Sequence, residues 1–507
     1  MSKKYYEYMS EISSEELLKG LLEYGLFADK LPPIFSCESF YAYCKKRKFE
    51  GFSKNPTDYI RYNSTRNTNI PRLLSIPTPF SYMYQCKCIY DNWNKICNLF
   101  QEKTSNQSYK YSQIHIQKLK HKNFLFEMSH SYCDKDSLLD VELSKLSILK
   151  RFKVEADISS CFPSIYTHSL SWALVGKDEA KKNKSNVNIW YNELDTTCRN
   201  TKNGETNGLL IGPHASNLLS EIILCNIDNE LVKKGYKYIR NIDDFCCFVK
   251  SEEEAECFLL DLSEELKKFE LNINTKKTKI LKLPLPSDID WIRALNEFIK
   301  GDTYTENGKL IFKYQRLKLY LDLAIKLAME TNNCAVFTYA IKIIANCHLG
   351  KKAKYYYINT LHQLICFYPY LVHWMENFVF DIFDISQESI SLIAHDLYDI
   401  GIKRHIYEAC SFSIYWSLKY DFKLNKMMEE DSIRTEDSLF MLLSFLKVKK
   451  NRNKDAKKLL KEHARSLLND IDRYWLFLYE ALPKDDLTGD YKCLKNNRIS
   501  FVKPEFK

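Results

Sequence analysis

The chain has 507 residues, too many for one ordinary domain and enough for two to four at roughly one per 150 residues. A content of 45% hydrophobic and 27% charged residues excludes a disordered polymer, and only 13 Gly and 13 Pro argue against a loop-rich or all-β protein. The formal net charge of +9 permits contact with nucleic acid or anionic surfaces, and no run of about 18 apolar residues is present to span a membrane.

The first hundred or so residues read as mainly helical. Ser13-Ser14-Glu15-Glu16 can cap a helix carrying Leu17, Leu18, Leu21 and Leu22. Proline breaks follow at Leu31-Pro32-Pro33 and Ile76-Pro77-Thr78-Pro79. From Arg151 to Leu285 short strand-like runs alternate with helical stretches, an α+β pattern: Phe152-Lys153-Val154, Tyr238-Ile239-Arg240, Phe245-Cys246-Cys247-Phe248-Val249 and Thr278-Lys279-Ile280-Leu281. Beyond about residue 290 strand signals almost vanish. Helix-length apolar segments follow in series at Leu317–Ala328, Ala335–Cys347, Leu361–Phe378, Ser389–Ile400 and Ser438–Leu446. They suggest a stacked array of HEAT type, without a crisp repeat consensus. The basic run Lys447–Lys454 reads as a solvated loop or a nucleic-acid contact.

The 17 cysteines include no C-x-x-C pair and no zinc spacing: Cys86 and Cys88 are one residue apart, and Cys246 and Cys247 are adjacent. No secretory signal is recognisable, so the cysteines read as buried small hydrophobes in a reducing cytosol. The 34 Tyr and 29 Phe would suit stacking on bases, and an AT-rich coding bias would supply them equally well.

Three segments carry the chemistry. In Val154-Glu155-Ala156-Asp157 an apolar strand ends in an acid, with Phe162 following in Ser160-Cys161-Phe162-Pro163. Asn207-Gly208-Leu209-Leu210-Ile211-Gly212-Pro213 opens a helix running to about Leu231. Tyr238–Val249 reads as a hairpin with Asp243-Asp244 at its tip. Attack of a hydroxyl on the α-phosphorus of a nucleoside triphosphate develops charge on the entering and leaving oxygens, and two magnesium ions about 3.5–4 Å apart can stabilise both. Such hard cations take carboxylate ligands held on rigid strands. Asp157 and Asp243 would bridge the ions, with Asp244 nearby and the Ile158 carbonyl as a further ligand. Adjacent acids in an apolar hairpin are otherwise unfavourable, because like charges repel. His168 and His214 flank these motifs without a second histidine at ligand spacing and read as packing or backbone-bonding residues.

These segments resemble motifs A, B and C of reverse transcriptases, the third usually reading Tyr-x-Asp-Asp. Leu271-Asn272-Ile273-Asn274-Thr275-Lys276-Lys277-Thr278 is similar to motif D, and Arg72-Leu73-Leu74-Ser75-Ile76-Pro77 to the fingers segment before the core. The resemblance implies a right-hand α+β polymerase, with fingers and palm of reverse-transcriptase type, followed by an all-α HEAT-like repeat domain. Residues 1–100 would hold the N-terminal helical region and the start of the fingers, 101–290 the fingers and palm core, and 291–507 the helical domain. It further implies that Asp157, Asp243 and Asp244 are catalytic and, with Ile158, bind magnesium. Phe162, Gly212, Lys277 and Arg72 would meet the substrate: Phe162 beneath the ribose, Lys277 on the pyrophosphate side, Arg72 at phosphate or template.

Pro163-Ser164-Ile165-Tyr166-Thr167-His168-Ser169, Gly212-Pro213-x-x-Ser216-Asn217, Ser220–Leu224 and Leu31-Pro32-Pro33-Ile34-Phe35 are similar to abortive-infection and other defence-associated bacterial reverse transcriptases, the AbiK-like, unknown-group family. That resemblance implies a cytoplasmic, homo-oligomeric enzyme, trimer or hexamer, that uses dNTPs and defends against phage. Its DNA synthesis would start from a protein hydroxyl, with Tyr41 and Tyr43 as possible donors, and would either run without an ordinary template or copy a dedicated non-coding RNA. Asn241 stands where the family usually has Tyr, and Ile211 where it has a polar residue, which puts long copying of arbitrary RNA in doubt. Two rival readings remain: a retron- or intron-like enzyme copying a long RNA, and a non-catalytic helical scaffold that binds nucleic acid.

Overall fold

A computed structural model describes residues 3–67, 70–113, 117–118, 126–127, 143–286, 289–300, 305–306 and 309–507. Local rules account for its first elements. Ser13 caps the helix Ser14–Lys19: its hydroxyl accepts from the Glu16 amide at 3.2 Å, and the Glu16 carboxylate accepts from the Ser13 amide at 3.1 Å. The helix runs on as a π-turn, Gly20–Tyr24, and Leu17, Leu18, Leu21 and Leu22 are all fully buried.

The N-terminal region is less helical than the sequence suggests. Strands β1 (Tyr59–Ser64) and β2 (Arg72–Pro77) pair antiparallel, with Tyr59 opposite Pro77 and Ser64 opposite Arg72. Ile60, Tyr62 and Ser64 point inward and Arg61 and Asn63 outward, a two-residue period masked by its polar members. Two short strands follow, β3 (Gln117–Lys118) and β4 (Phe126–Glu127).

The centre is an antiparallel sheet in the order β6-β7-β5-β8, made of β5 (Phe152–Asp157), β6 (Tyr238–Asn241), β7 (Asp244–Val249) and β8 (Lys279–Lys282). All four strand expectations between Arg151 and Leu285 fall on these elements. In β5 the residues Val154 and Ala156 are buried, while Lys153 and Glu155 lie on the other face and pair at 2.6 Å. The helix Glu252–Lys267 packs on β5 and β7. The helix His214–Lys233 buries Leu218, Leu219, Ile222, Ile223 and Ile227.

The mixed region gives way to a mostly helical one. The helices Tyr314–Thr331, Ala335–Ile344 and Lys351–Phe367 pack on one another, as do Gln387–Lys403, Tyr407–Lys419, Ser438–Lys450 and Ile471–Ala481. Two sequence expectations are corrected here. A small sheet persists in the order β11-β10-β9, from β9 (Thr305–Glu306), β10 (Lys309–Phe312) and β11 (Cys347–Leu349); such short strands carry too few residues for periodicity to mark. The run Lys447–Lys454 is not one loop: Lys447–Lys450 complete the Ser438–Lys450 helix. Lys447 is buried there, donating to the carbonyls of Ser417 at 2.9 Å and Phe422 at 2.7 Å.

The helical region closes back on the N-terminal one. Phe35 bridges Val502, the Ser36 amide donates to the Phe501 carbonyl at 2.9 Å, and Trp475 Nε1 donates to the Ile76 carbonyl of β2 at 3.4 Å. Buried apolar residues from Tyr5 to Val502 form one continuous cluster. The described cysteines are all free and most are buried; Cys133 lies outside the described residues. Among the described residues no helix is long and apolar enough to cross a membrane.

Candidate active site

Sheet register brings the three acids together. Asp157, the last residue of β5, pairs with Asp244, the first of β7. One step further the Ile158 amide donates to the Asp243 carbonyl at 3.1 Å. Asn241 pairs with Asp244, so Ile242 and Asp243 make a two-residue turn. Ile242 has φ +58°, an unfavourable conformation for a β-branched residue, and such strain persists only where the surroundings enforce it.

The enforcing element is Arg240, fully buried beneath the turn. Its guanidinium donates to the Ile242 carbonyl at 2.8 Å, to Asp228 Oδ2 at 2.6 Å and to Glu221 Oε1 at 2.7 Å. Tyr5 and Ser112 donate to Glu221 at 2.7 and 3.0 Å, and Tyr238 to Asp228 at 2.7 Å. Sequence reasoning missed this network. The available signal was an arginine in an apolar strand together with two acids seven residues apart on one face of the apolar His214–Lys233 helix.

Like charges directly opposite on a sheet repel. Desolvation first, then its own backbone amide acting in the opposite sense and the Asp157 charge, leave the Asp243 carboxyl above its ordinary value. Asp244 reaches solvent, yet desolvation and then the charges of Asp243 and Asp157 push its carboxyl up to about 6. Asp157 is buried and partnered: Lys277 Nζ donates to Oδ2 at 2.6 Å and Asn274 Nδ2 to Oδ1 at 2.9 Å. The bond to Asp157 raises the Lys277 ammonium above its usual value. Among the described residues no three His, Cys, Asp or Glu side chains converge closely enough to hold a metal as they stand. The donor chemistry nevertheless fits a hard cation: three carboxylates at strand ends, two of them resisting ionisation, with an ammonium already serving as counter-charge on the third.

The other candidates surround this centre. After Asp157 the chain turns through Ser160, at φ +47°, into a short helix, Cys161–Ser164, that presents a half-buried Phe162. Its carbonyl accepts from the Leu209 amide at 2.8 Å, and the Gly208 amide donates to the Ile165 carbonyl at 2.8 Å, tying the first two motifs together. Gly208 has φ +85°, and a Cβ there would lie 2.7 Å from the Pro163 carbonyl. Gly212 has φ +127° with its Cβ position 3.1 Å from the Ser75 carbonyl of β2, where the Ser75 amide bonds the Ile211 carbonyl at 2.8 Å. Arg72, also on β2, lies near enough to Asp243 for their charges to interact. Desolvation and then the neighbouring Arg66 lower the Arg72 guanidinium, and Lys30 is lowered by desolvation and then by Arg72. Lys30 and Arg66 thus lie near Arg72, and no sequence motif marked either of them.

Asn241 Oδ1 is buried, and among the described residues no donor reaches it. The histidines are engaged elsewhere: His168 Nδ1 with Asp195 at 2.7 Å, and His214 Nε2 with Asp29 at 3.7 Å. Tyr41 is buried against Phe49, and the Tyr43 hydroxyl accepts from Arg47 at 2.9 Å and Asn497 at 3.2 Å.

Comparison with known proteins finds a family match over part of the chain. The family described as reverse transcriptase (RNA-dependent DNA polymerase) matches residues 88–314. Among solved structures, telomerase from Candida tropicalis in complex with a TWJ fragment of telomeric RNA matches at 11% identity and a TM-score of 0.30, over 72% of this chain and 65% of that one. The corresponding Candida albicans telomerase structure matches at 12% identity and 0.30, over 88% and 70%. The chain thus spans less than two thirds of the first of these. The comparison with curated proteins found no match. Residues 88–314, which contain Asp157, Asp243 and Asp244, form a reverse-transcriptase-like domain.

Proposed function

We propose that the chain is a reverse-transcriptase-type DNA polymerase that adds dNTPs with release of pyrophosphate. The observation that carries this reading is the register placing Asp157 opposite Asp244, with Asp243 on the adjoining turn. In this reading Asp157, Asp243 and Asp244, with the Ile158 carbonyl, would hold the magnesium ions. The bound magnesium supplies Lewis-acid stabilisation of the developing oxyanions. Lys277, bonded here to Asp157, would bear on the pyrophosphate side as a cation or proton donor. Arg72 would contact phosphate or template, and Phe162 would exclude a 2′-hydroxyl. Gly212 lets the fingers strand lie close against the substrate-side loop.

The biological role proposed, anti-phage defence by a cytoplasmic homo-oligomer, is supported by the motif resemblance. So are a HEAT-like form for the helical region, priming from a protein hydroxyl and templating by a non-coding RNA. The chain divides in this reading into 1–100, 101–290 and 291–507. The test is incubation of the purified protein with labelled dNTPs and Mg2+, with and without added RNA and primer. Incorporation that consumes dNTPs, releases pyrophosphate and is removed by nuclease supports the reading. Absence of incorporation under all of these conditions contradicts it.

A further inference from the structure

The helix Lys454–Ser466 has two unlike sides. Ala456, Leu460 and Ala464 are buried against the neighbouring helices Met428–Thr435, Ser438–Lys450 and Ile471–Ala481. Its outer side borders a shallow depression of about 310 Å³ lined by Lys454, Lys457, Lys458, Lys461 and Arg465. These positions follow the spacing i, i+3, i+4, i+7, i+11, so the five cations share one stripe. Lys458 has a loose pairing with Glu462 at 3.8 Å, and Arg465 bonds Asp486 at 2.8 Å. Further like charge adjoins: desolvation and then Lys457 and Arg465 lower the Lys461 ammonium against the charge of Asp486, and desolvation lowers the nearby Lys495, where Glu480 opposes Lys449, Lys507 and Lys461.

Glu462 and Asp486 offset only part of this positive charge, so the surface favours a polyanionic partner. The apolar side of the helix is committed to the core, so it cannot enter a lipid surface as a free amphipathic helix does. Among the described residues no aromatic side chain lines the depression, so it offers none for bases to stack on. The stripe spans about 16 Å at about 1.5 Å per residue, the length of about five stacked nucleotides at 3.4 Å each. One row of cations matches one row of phosphates.

We infer that the Lys454–Arg465 stripe docks the phosphate backbone of a single nucleic-acid strand, without regard to sequence and outside the polymerase-like site. On the polymerase reading proposed above, on which this last step rests, the stripe would hold template or product as it passes over the helical region.

The test uses the full chain in EDTA without dNTPs, so its outcome does not depend on polymerase activity. Lysine acetylation is mapped by mass spectrometry with and without a 20-nucleotide oligo-dT or oligo-U. At least threefold protection of Lys454, Lys457, Lys458 and Lys461 by both strands, with Lys326 and Lys403 unprotected, is expected. Fluorescence polarisation then compares Lys457→Gln/Lys458→Gln/Lys461→Gln with the parent chain. Three lost phosphate contacts should lower the slope of log K against log salt by about 2 and weaken binding about 100-fold at 0.1 M salt. Glu462→Gln, which removes an acid from the stripe and leaves its lysines in place, should tighten binding and steepen the slope. Unprotected stripe lysines, or a Glu462→Gln protein with unchanged affinity, overturn the inference. So does stronger protection by a 20-base-pair duplex or by anionic phospholipid vesicles.

Discussion

Arg240 is the residue on which the acidic turn rests, and its replacement gives a sharp test of how the turn is held. In Arg240→Met the methionine fills much of the space but leaves Glu221 and Asp228 facing each other without a counter-charge. Removing one partner of a buried ionic cluster costs about 3–5 kcal/mol. The Ile242 carbonyl also loses its donor, adding about 1–3 kcal/mol. Tyr5, Ser112 and Tyr238 still donate to the carboxylates, which keeps the sum toward the lower end, about 4–6 kcal/mol. That is a large share of the roughly 5–15 kcal/mol by which a folded domain is stable. Arg240→Lys keeps the charge but cannot reach both carboxylates and the carbonyl, and should lose about half as much. Adding Glu221→Gln to Arg240→Met should recover at least about 1 kcal/mol, because it removes the repulsion that the first change exposes. Urea unfolding at pH 7.5, followed by tryptophan fluorescence, measures all three. An Arg240→Met protein within about 1 kcal/mol of the parent would refute this account of the turn.

Asp437 caps the Ser438–Lys450 helix, and desolvation, opposed by the Phe440 and Leu439 amides, pushes its carboxyl from 3.8 up to about 6. Between these values the folded chain binds a proton that the unfolded chain does not, so stability falls as pH rises from about 4 to about 6 and the loss is complete above that. Asp437→Asn, neutral but still an acceptor, should be more stable than the parent by up to about 3 kcal/mol at pH 7.5 and equal to it below pH 4, as read by urea unfolding at each pH. Phe162→Ala should remain folded, because the ring is only half-buried, and should admit rNTPs at least about tenfold better relative to dNTPs; an unchanged ratio in a folded variant contradicts the gating role. Truncation before Asp302, which itself lies outside the described residues, removes Trp475 and Phe501 from their contacts with β2 and Phe40. The 1–301 fragment should aggregate or unfold, and a soluble, incorporating fragment would contradict the coupling of the two regions.

The elements that were legible in the sequence are those whose burial is set locally. The short apolar, strand-like runs within Phe152–Asp157 and Phe245–Val249 and the box at Ser13–Glu16 mark strands and a helix start without reference to the rest of the chain. The candidate site was legible for a related reason: an acid ending an apolar strand and an acid pair in a tight hairpin stand out against their apolar surroundings. What stayed hidden depends on partners distant in sequence. Glu221, Asp228 and Arg240 acquire meaning only when helix and strand are packed together, and Tyr5 reaches them across more than 200 residues. Lys30 and Arg66 are ordinary surface cations until the β1–β2 hairpin brings Arg72 beside them. Thr65 of that hairpin bonds the buried Glu408 of the helical region at 2.6 Å, a contact that composition and periodicity do not encode.

The measurement that bears most directly on the proposed polymerase is dNTP incorporation by Asp243→Asn and Asp244→Asn beside the parent chain, with Mg2+ and matched folding by circular dichroism. Each variant keeps the size of the side chain and removes one carboxylate charge where transition-state charge must be offset, a loss of about 3–4 kcal/mol or more, so incorporation should fall by at least about 100-fold. Because both acids are held above their ordinary values by desolvation and the charge of neighbouring carboxylates, Asp157 above all for Asp243, each variant should be at least as stable as the parent in the absence of metal. Stable variants that no longer incorporate dNTPs are the predicted result; incorporation at the parent rate by either one would contradict the metal-dependent polymerase proposed for this site.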